Sequence, residues 1–426
     1  MCEMKDSGVA WIGAVPSDYR TASIGSLFTI KKDIIGREPE TVLSITQTGI
    51  RPKDLSSNEG QNASSYAHYQ IVNVGDFAMN HMDLLTGWVD ISKYEGVTSP
   101  DYRVFTLNDK AMLADYFLRV FQYYYTNRVF FGFGQGVATL GRWRLPAINF
   151  KKIDVPVPPI LEQQKIVAAI DEDVGKVDRL IANVQTQIEK LKAYKQSMIS
   201  EAVTKGLDPT VPMKDSGLMW IGQIPAHWSI SKVSMFFEVV LGKMLQPEKK
   251  TETDTYENYL CAANVGNNCL KIDFLKQMWF SEKDKQQYCV RKGDLIVVEG
   301  GDVASCDIIK FEVQDLYIQN ALHRVRAKKE ALLEFLRYYL MMAKGQGYVD
   351  LICNKATIAH FTKDKFMSLP LLVVPIDEQR EIVKYLDEKC DQIDKLIAIK
   401  QAKIEKLEQY RRSLIYEYVT GKREVV

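Results

Sequence analysis

The sequence predicts a protein built twice over: two mixed α/β domains separated by two long helices that pair antiparallel as a coiled coil, with pseudo-two-fold internal duplication. Three observations carry this expectation. Residues 4–20, MKDSGVAWIGAVPSDYR, recur at 213–229 as MKDSGLMWIGQIPAHWS, with nine of 17 positions identical. Residues 159–204 align without a gap on 375–420, with 23 of 46 identical. Between these matches the interiors, 21–157 and 230–373, keep only echoes, such as Gly75-Asp76-Phe77 against Gly293-Asp294-Leu295 and Ala138-Thr139 against Ala356-Thr357. A repeat of about 210 residues is too long for a solenoid, so the duplicated unit is a domain plus a helix.

Composition narrows the class. The chain has 426 residues, 46% hydrophobic and 26% charged, which is globular and sufficient for two or three cores. Its 55 basic and 54 acidic residues leave a net charge of +1, so any nucleic-acid partner must show in how charge is sorted along the chain. No apolar run is long enough for a bilayer and the first residues lack a signal-peptide core, so a soluble cytoplasmic protein is expected. Seven cysteines without a Cys-x-x-Cys pair speak against disulfides or a zinc knuckle. His81 and Asp83 are too few for a metal site, and neither a metal nor a cofactor is expected.

The elements follow in order. Residues 1–157 form the first domain, with a strand at 69–74 and a helix at 110–125. Residues 158–205 are the first long helix and 206–212 a linker. Residues 213–373 are the second domain, with a strand at 293–298 and a helix at 328–343; residues 374–426 are the second long helix and tail. In the first helix Ile170, Val174, Val177, Ile181, Val184, Ile188 and Leu191 alternate at spacings of four and three, followed by Lys195. The second reads Leu386, Cys390, Ile393, Ile397, Lys400, Ile404, Leu407, then Arg411. This is the seam of a coiled coil. A parallel pair would set Lys195 against Arg411. An antiparallel pair lets Lys195 reach Asp391 or Asp394 and Arg411 reach Asp178, which favours antiparallel.

Taken together, the duplicated motifs resemble those of the specificity (S) subunits of type I restriction–modification systems. The carriers are Met213-Lys214-Asp215-Ser216-Gly217, Trp220-Ile221-Gly222 and Pro225-x-His227-Trp228 with their first-copy counterparts, and Pro158-Pro159-Ile160-Leu161-Glu162-Gln163 opening the first helix. Val374-Pro375-Ile376-Asp377-Glu378-Gln379 opens the second, and Lys205-Gly206-Leu207-Asp208-Pro209 closes the first. The resemblance implies two target-recognition domains, each reading half of a bipartite double-stranded DNA site. It implies helices that hold two methyltransferase (M) subunits, restriction (R) subunits in the full complex, and no catalysis by this chain. One departure is Ser17-Asp18-Tyr19 where the second copy has Ala226-His227-Trp228.

The residues agree with a non-enzyme. No Asn/Asp-Pro-Pro-Tyr/Phe methyltransferase motif occurs, and the Gly-rich run 131–136 follows a Tyr-rich helix where a cofactor loop would follow a strand. Charge is sorted, however. Residues 123–152 contain no acid but hold Arg128, Arg142, Arg144, Lys151 and Lys152 with eight aromatics, a composition suited to phosphates and base edges. Arg324, Arg326, Lys355 and His360 are the weaker counterparts in the second domain. Buried aromatics with solvated arginines would give the same composition. A coiled-coil scaffold and a stand-alone DNA-binding regulator are the competing functions; two divergent domains argue against the scaffold.

Overall fold

A computed structural model describes residues 3–55, 63–136, 143–266, 269–353 and 359–425. The chain divides into two compact units, 1–185 with 401–426, and 186–400. Both boundaries fall inside the long helices, Ile160–Lys205 and Ile376–Val419, which run unbroken for 46 and 44 residues. Each is about 65–70 Å long at 1.5 Å per residue. Neither contains proline, and each opens directly after one, Pro159 or Pro375. Just past their C-terminal ends Gly206 (φ 74°) and Gly421 (φ 69°) adopt the left-handed conformation that terminates a helix.

In the first unit a four-stranded antiparallel sheet runs in the order Phe28–Lys31, Arg103–Leu107, Phe77–Met79, Val89–Ile91. Side chains alternate across it. Phe28, Phe77 and Phe105 pack edge-on or tilted against Phe121 of the helix Ala114–Thr126, while Ala78 and Val104 join a second core on the other face. In the second unit Phe237–Leu241, Leu322–Ala327, Leu295–Val298 and Cys306–Ile308 form a sheet of the same order, all antiparallel. Leu295, Val297 and Val325 face one core and Ile296, Val298 and Leu322 another. Thus the duplication extends into interiors whose residue identities have diverged, because the burial pattern alone suffices to keep the sheet.

The units differ elsewhere. The second carries a three-stranded sheet, Lys276–Phe280, Thr255–Leu260 and Leu316–Ile318; the first has two separate strand pairs, Leu43–Thr46 with Gly49–Pro52 and Gln70–Val72 with Gly96–Thr98.

The duplicated opening motif is a hairpin in each copy, Met4–Asp6 with Ala14–Pro16 and Met213–Asp215 with Gln223–Pro225. Its aromatic, Tyr19 or Trp228, is fully buried. Trp228 donates to Glu378 Oε2 at 2.9 Å, and Glu378 Oε1 lies 2.8 Å from His227 Nε2. The Gln that follows is equally structural. Gln379 Oε1 accepts from Leu332 N at 3.0 Å and its Nε2 donates to Val374 O at 2.7 Å. Gln163 repeats this, accepting from Leu113 N at 2.9 Å and donating to Pro158 O at 2.9 Å. The helices Ala114–Thr126 and Leu333–Gly345 therefore start four or five residues later than the sequence predicts. Ahead of the first, Asp109 forms a turn by accepting Ala111 N at 2.9 Å, which competes with helix.

The helices pair antiparallel within each unit. In the first, Arg411 lies 3.0 Å from Asp178 and Tyr418 donates to Asp173 at 2.8 Å. In the second, Lys195 lies 2.6 Å from Asp394 and Lys400 donates to Gln187 at 2.6 Å. Val177, Ile188, Ile393 and Ile404 are buried. Ile181 and Leu407 pack on the first unit's core, Leu191 and Ile397 on the second's. Among the described residues no helix is long and apolar enough to cross a membrane.

Candidate nucleic-acid interface

The basic residues singled out from the sequence separate into three groups. Arg142 and Lys355 lie outside the described residues. Arg128, Arg144, Lys151 and His360 are exposed. Arg324 and Arg326 are turned inward, which corrects the expectation that they meet DNA. Arg324 is 4% exposed and donates to Gln287 O at 3.0 Å and Cys289 O at 2.8 Å; burial lowers its pKa. Arg326 is bidentate on Asp294 at 2.6 and 2.7 Å, and that hydrogen bonding holds its pKa up. Both sit on a central strand; Arg326 is taken by Asp294 at the head of the adjacent strand, and Arg324 by carbonyls at the end of the helix Glu282–Tyr288. The Gly-Asp echo has the same explanation, since Asp76 binds Lys31 at 2.7 Å and Asp294 binds Arg326. In each unit a turn carboxylate before a sheet strand is neutralised from another strand of that sheet, two strands away in the first unit and adjacent in the second.

Arg144 is presented by a rigid clamp. It is bridged to Gln135, with backbone bonds of 2.7 and 3.0 Å. Next to it, Leu145 N donates to His81 O at 2.8 Å and Leu145 O accepts from the Arg103 guanidinium at 2.8 Å. Leu84 N reaches Trp143 O at 3.1 Å on the other side. Arg103 is 4% exposed, stacks over Phe150 at 4.6 Å, and burial lowers its pKa to about 10. Burial, reinforced by Arg103 and Arg144, pushes His81 down to about 3, so its imidazole is neutral at pH 7. The buried His81 Nδ1 and Arg103 Nη1 have no hydrogen-bond partner among the described residues.

The second unit contains the same clamp in other residues. Phe361 N donates to Glu299 O at 2.7 Å, and Phe361 O meets His323 Nε2 at 2.7 Å. His360 is bridged to Gly300, and its Nδ1 lies 3.1 Å from Glu299 Oε2. Arg103 and His323 thus do one job, as do Leu145 and Phe361. Arg144 and His360 occupy the same place, each shortly after a segment outside the described residues. Sequence reasoning weighs His81 only as a metal ligand and His323 only as part of a basic segment, and misses Arg103, because an arginine and a histidine holding one carbonyl leave no shared letter to find.

The remaining exposed cations have simple supports. Arg128 sits in the left-handed region (φ 58°) at the corner after the helix Ala114–Thr126; Gly347 (φ 75°) holds that corner in the second unit. Lys151 ends the short helix Ala147–Lys152 and packs where Gly25 lacks a side chain: a Cβ on Gly25 would fall 2.9 Å from Lys151 Cβ. In the Gly-rich run, a Cβ on Gly134 would lie 2.3 Å from Trp143 Nε1, which donates to Phe131 O at 2.8 Å. That glycine serves packing against Trp143. An open cleft of about 1160 Å³ nearby in the first unit is lined by Arg51, Lys53, His68, Tyr69, Asn80 and Tyr102, among others. Among the described residues no three His, Cys, Asp or Glu side chains converge as metal ligands would.

Residues 225–409 match the family model of the type I restriction modification DNA specificity domain. The putative type I restriction enzyme MjaX specificity subunit of Methanocaldococcus jannaschii is 23% identical over 96% of this chain and 95% of its own. The type I restriction enzyme MjaVIII specificity subunit of the same organism is 28% identical over 64% of this chain and 63% of its own. Among solved structures, a chain from work on complex assembly and conformational transition of the type I R-M system superposes with a TM-score of 0.70 at 14% identity, covering 96% of this chain and 99% of that one. The similarity to type I specificity subunits suggested by the duplicated motifs is thus found in sequence along nearly the whole chain, and the fold is shared.

Proposed function

We propose that this chain is the DNA-recognition subunit of a type I restriction–modification complex, a cytoplasmic protein that carries no catalysis and binds no cofactor itself. Each unit reads one half of a bipartite site in double-stranded DNA. The paired long helices dock two methyltransferase subunits, and restriction subunits join the full complex. The observation that carries this reading is the repeated clamp: two units of diverged sequence each hold a basic side chain outward at the same place, Arg144 or His360. Arg128 and Lys151 flank the first, and Arg142 and Lys355 belong to the segments just before each clamp. Arg324 and Arg326 drop out of the interface. Val177, Ile181, Ile188, Leu191, Ile393, Ile397, Ile404 and Leu407, with Lys195 and Arg411, hold the helix pair.

The test is co-expression with a methyltransferase subunit and sequencing of methylated sites in host DNA. A two-part motif is expected, and exchanging residues 21–150 for another such domain changes one part only. A complex that methylates without sequence preference, or a purified chain that binds S-adenosylmethionine stoichiometrically, refutes the reading.

A further inference from the structure

The two clamps hold the same backbone but opposite chemistry behind it. In the first unit the neighbours of Arg144 are His81 and Arg103, and residues 123–152 contain no acid. The Arg103 guanidinium thus places a fixed positive charge behind Arg144, where the second unit has the neutral-capable His323. In the second unit Glu299, whose side chain is only 13% exposed, takes Nδ1 of His360. Its carboxylate offsets positive charge at the imidazole and leaves the 53%-exposed ring to offer Nε2 alone. An arginine fork spans two acceptors, and the matching base edge is guanine O6 with N7; a single ring nitrogen makes one contact and cannot select that pair.

Resting on the proposed function, we propose that Arg144 and His360 are the corresponding specificity-determining side chains of the two half-sites, Arg144 reading a guanine edge and the Glu299–His360 pair a different base at the equivalent position. Three features favour base reading over simple phosphate contact. The residue after each is bonded through both its N–H and its carbonyl, and Arg144 is held on its other side as well by Leu84 N on Trp143 O, so the side chain is aimed rather than swung. Phosphate attraction requires net positive charge, yet the second clamp supplies a carboxylate at this place. And the clamp residues change type between units while the clamp geometry stays, as expected where selectivity diverged on a common frame.

The experiment uses the full chain assembled with its methyltransferase subunits and a set of duplexes carrying every single base change in both half-sites. For Arg144→Ala, discrimination at one guanine of one half-site should fall about 10- to 100-fold, with the other half-site unmoved. His360→Ala should relax one position of the other half-site. The double variant Glu299→His with His360→Arg places the first unit's His81 and Arg144 in the second clamp, with His323 still holding Phe361 O, and should bring a preference for guanine there. Thermal melts identify any variant that fails to fold, and the two single exposed-residue changes, which leave the clamp bonds in place, then decide. An equal loss on every duplex with a reduced salt slope marks a phosphate contact and overturns the proposal. So does unchanged discrimination. Wild-type complex without any preference would instead refute the proposed function itself.

Discussion

Replacing Gln379 by methionine keeps the length and bulk of the side chain and removes both of its hydrogen bonds. Gln379 is 5% exposed, so neither group it serves gains easy access to water through the change. Leu332 N, at the head of the helix Leu333–Gly345, loses its acceptor at 3.0 Å, and Val374 O loses its donor at 2.7 Å. A buried polar group left without a partner costs about 1–3 kcal/mol, so the two together should cost about 2–6 kcal/mol. For a body of about two hundred residues that corresponds to a melting temperature lower by roughly 4–24 °C. Gln163→Met should cost the same in the first unit, from bonds of 2.9 Å each. Because the two glutamines lie in different units, the losses should add in the double variant. The assay is urea unfolding of the full chain followed by far-ultraviolet circular dichroism. A Gln379→Met protein within about 0.5 kcal/mol of wild type would refute the capping role.

Glu162 has its pKa raised, first by burial and further by Asp18, against the lowering effect of Lys165 and Tyr19. A carboxyl with a raised folded-state value adds stability that is fully present below its unfolded value near 4.5 and is lost as pH rises through the folded value. Glu162→Gln should therefore flatten the stability profile just above pH 4.5, and an unchanged profile contradicts the assignment. Arg128 pays for a left-handed backbone where the second unit has Gly347, so Arg128→Gly should raise stability by about 0.5–1 kcal/mol. A lower melting temperature would show that its side chain stabilises the fold. Lys195 and Asp394 are an exposed pair, 21% and 57% accessible, and a double-mutant cycle should give a coupling below about 1 kcal/mol. Arg324→Ala should destabilise the protein markedly by leaving the Gln287 carbonyl without its donor and Cys289 O with Arg326 alone, whereas Arg144→Ala should leave the melting temperature within about 1 °C.

The sequence by itself determined the duplication, the two long helices and their antiparallel pairing. Those features are legible because helix periodicity and seam charges are local: Lys195 and Arg411 each need an acid, and only one orientation offers it. It also gave the Glu-Gln motif as a marker, without its reason, which is a cap on a helix some 50 residues earlier in the chain. Tertiary structure decided which basic residues face outward. Arg324 and Arg326 read as a cationic strand, but the carboxylate before the adjacent strand takes one guanidinium and the end of the helix Glu282–Tyr288 takes the other. Tertiary structure likewise decided that Arg144 and His360 are counterparts. Their equivalence is carried by backbone bonds to residues of different type, Arg103 and His323, and hydrogen bonds to a carbonyl require only a donor, whatever side chain supplies it.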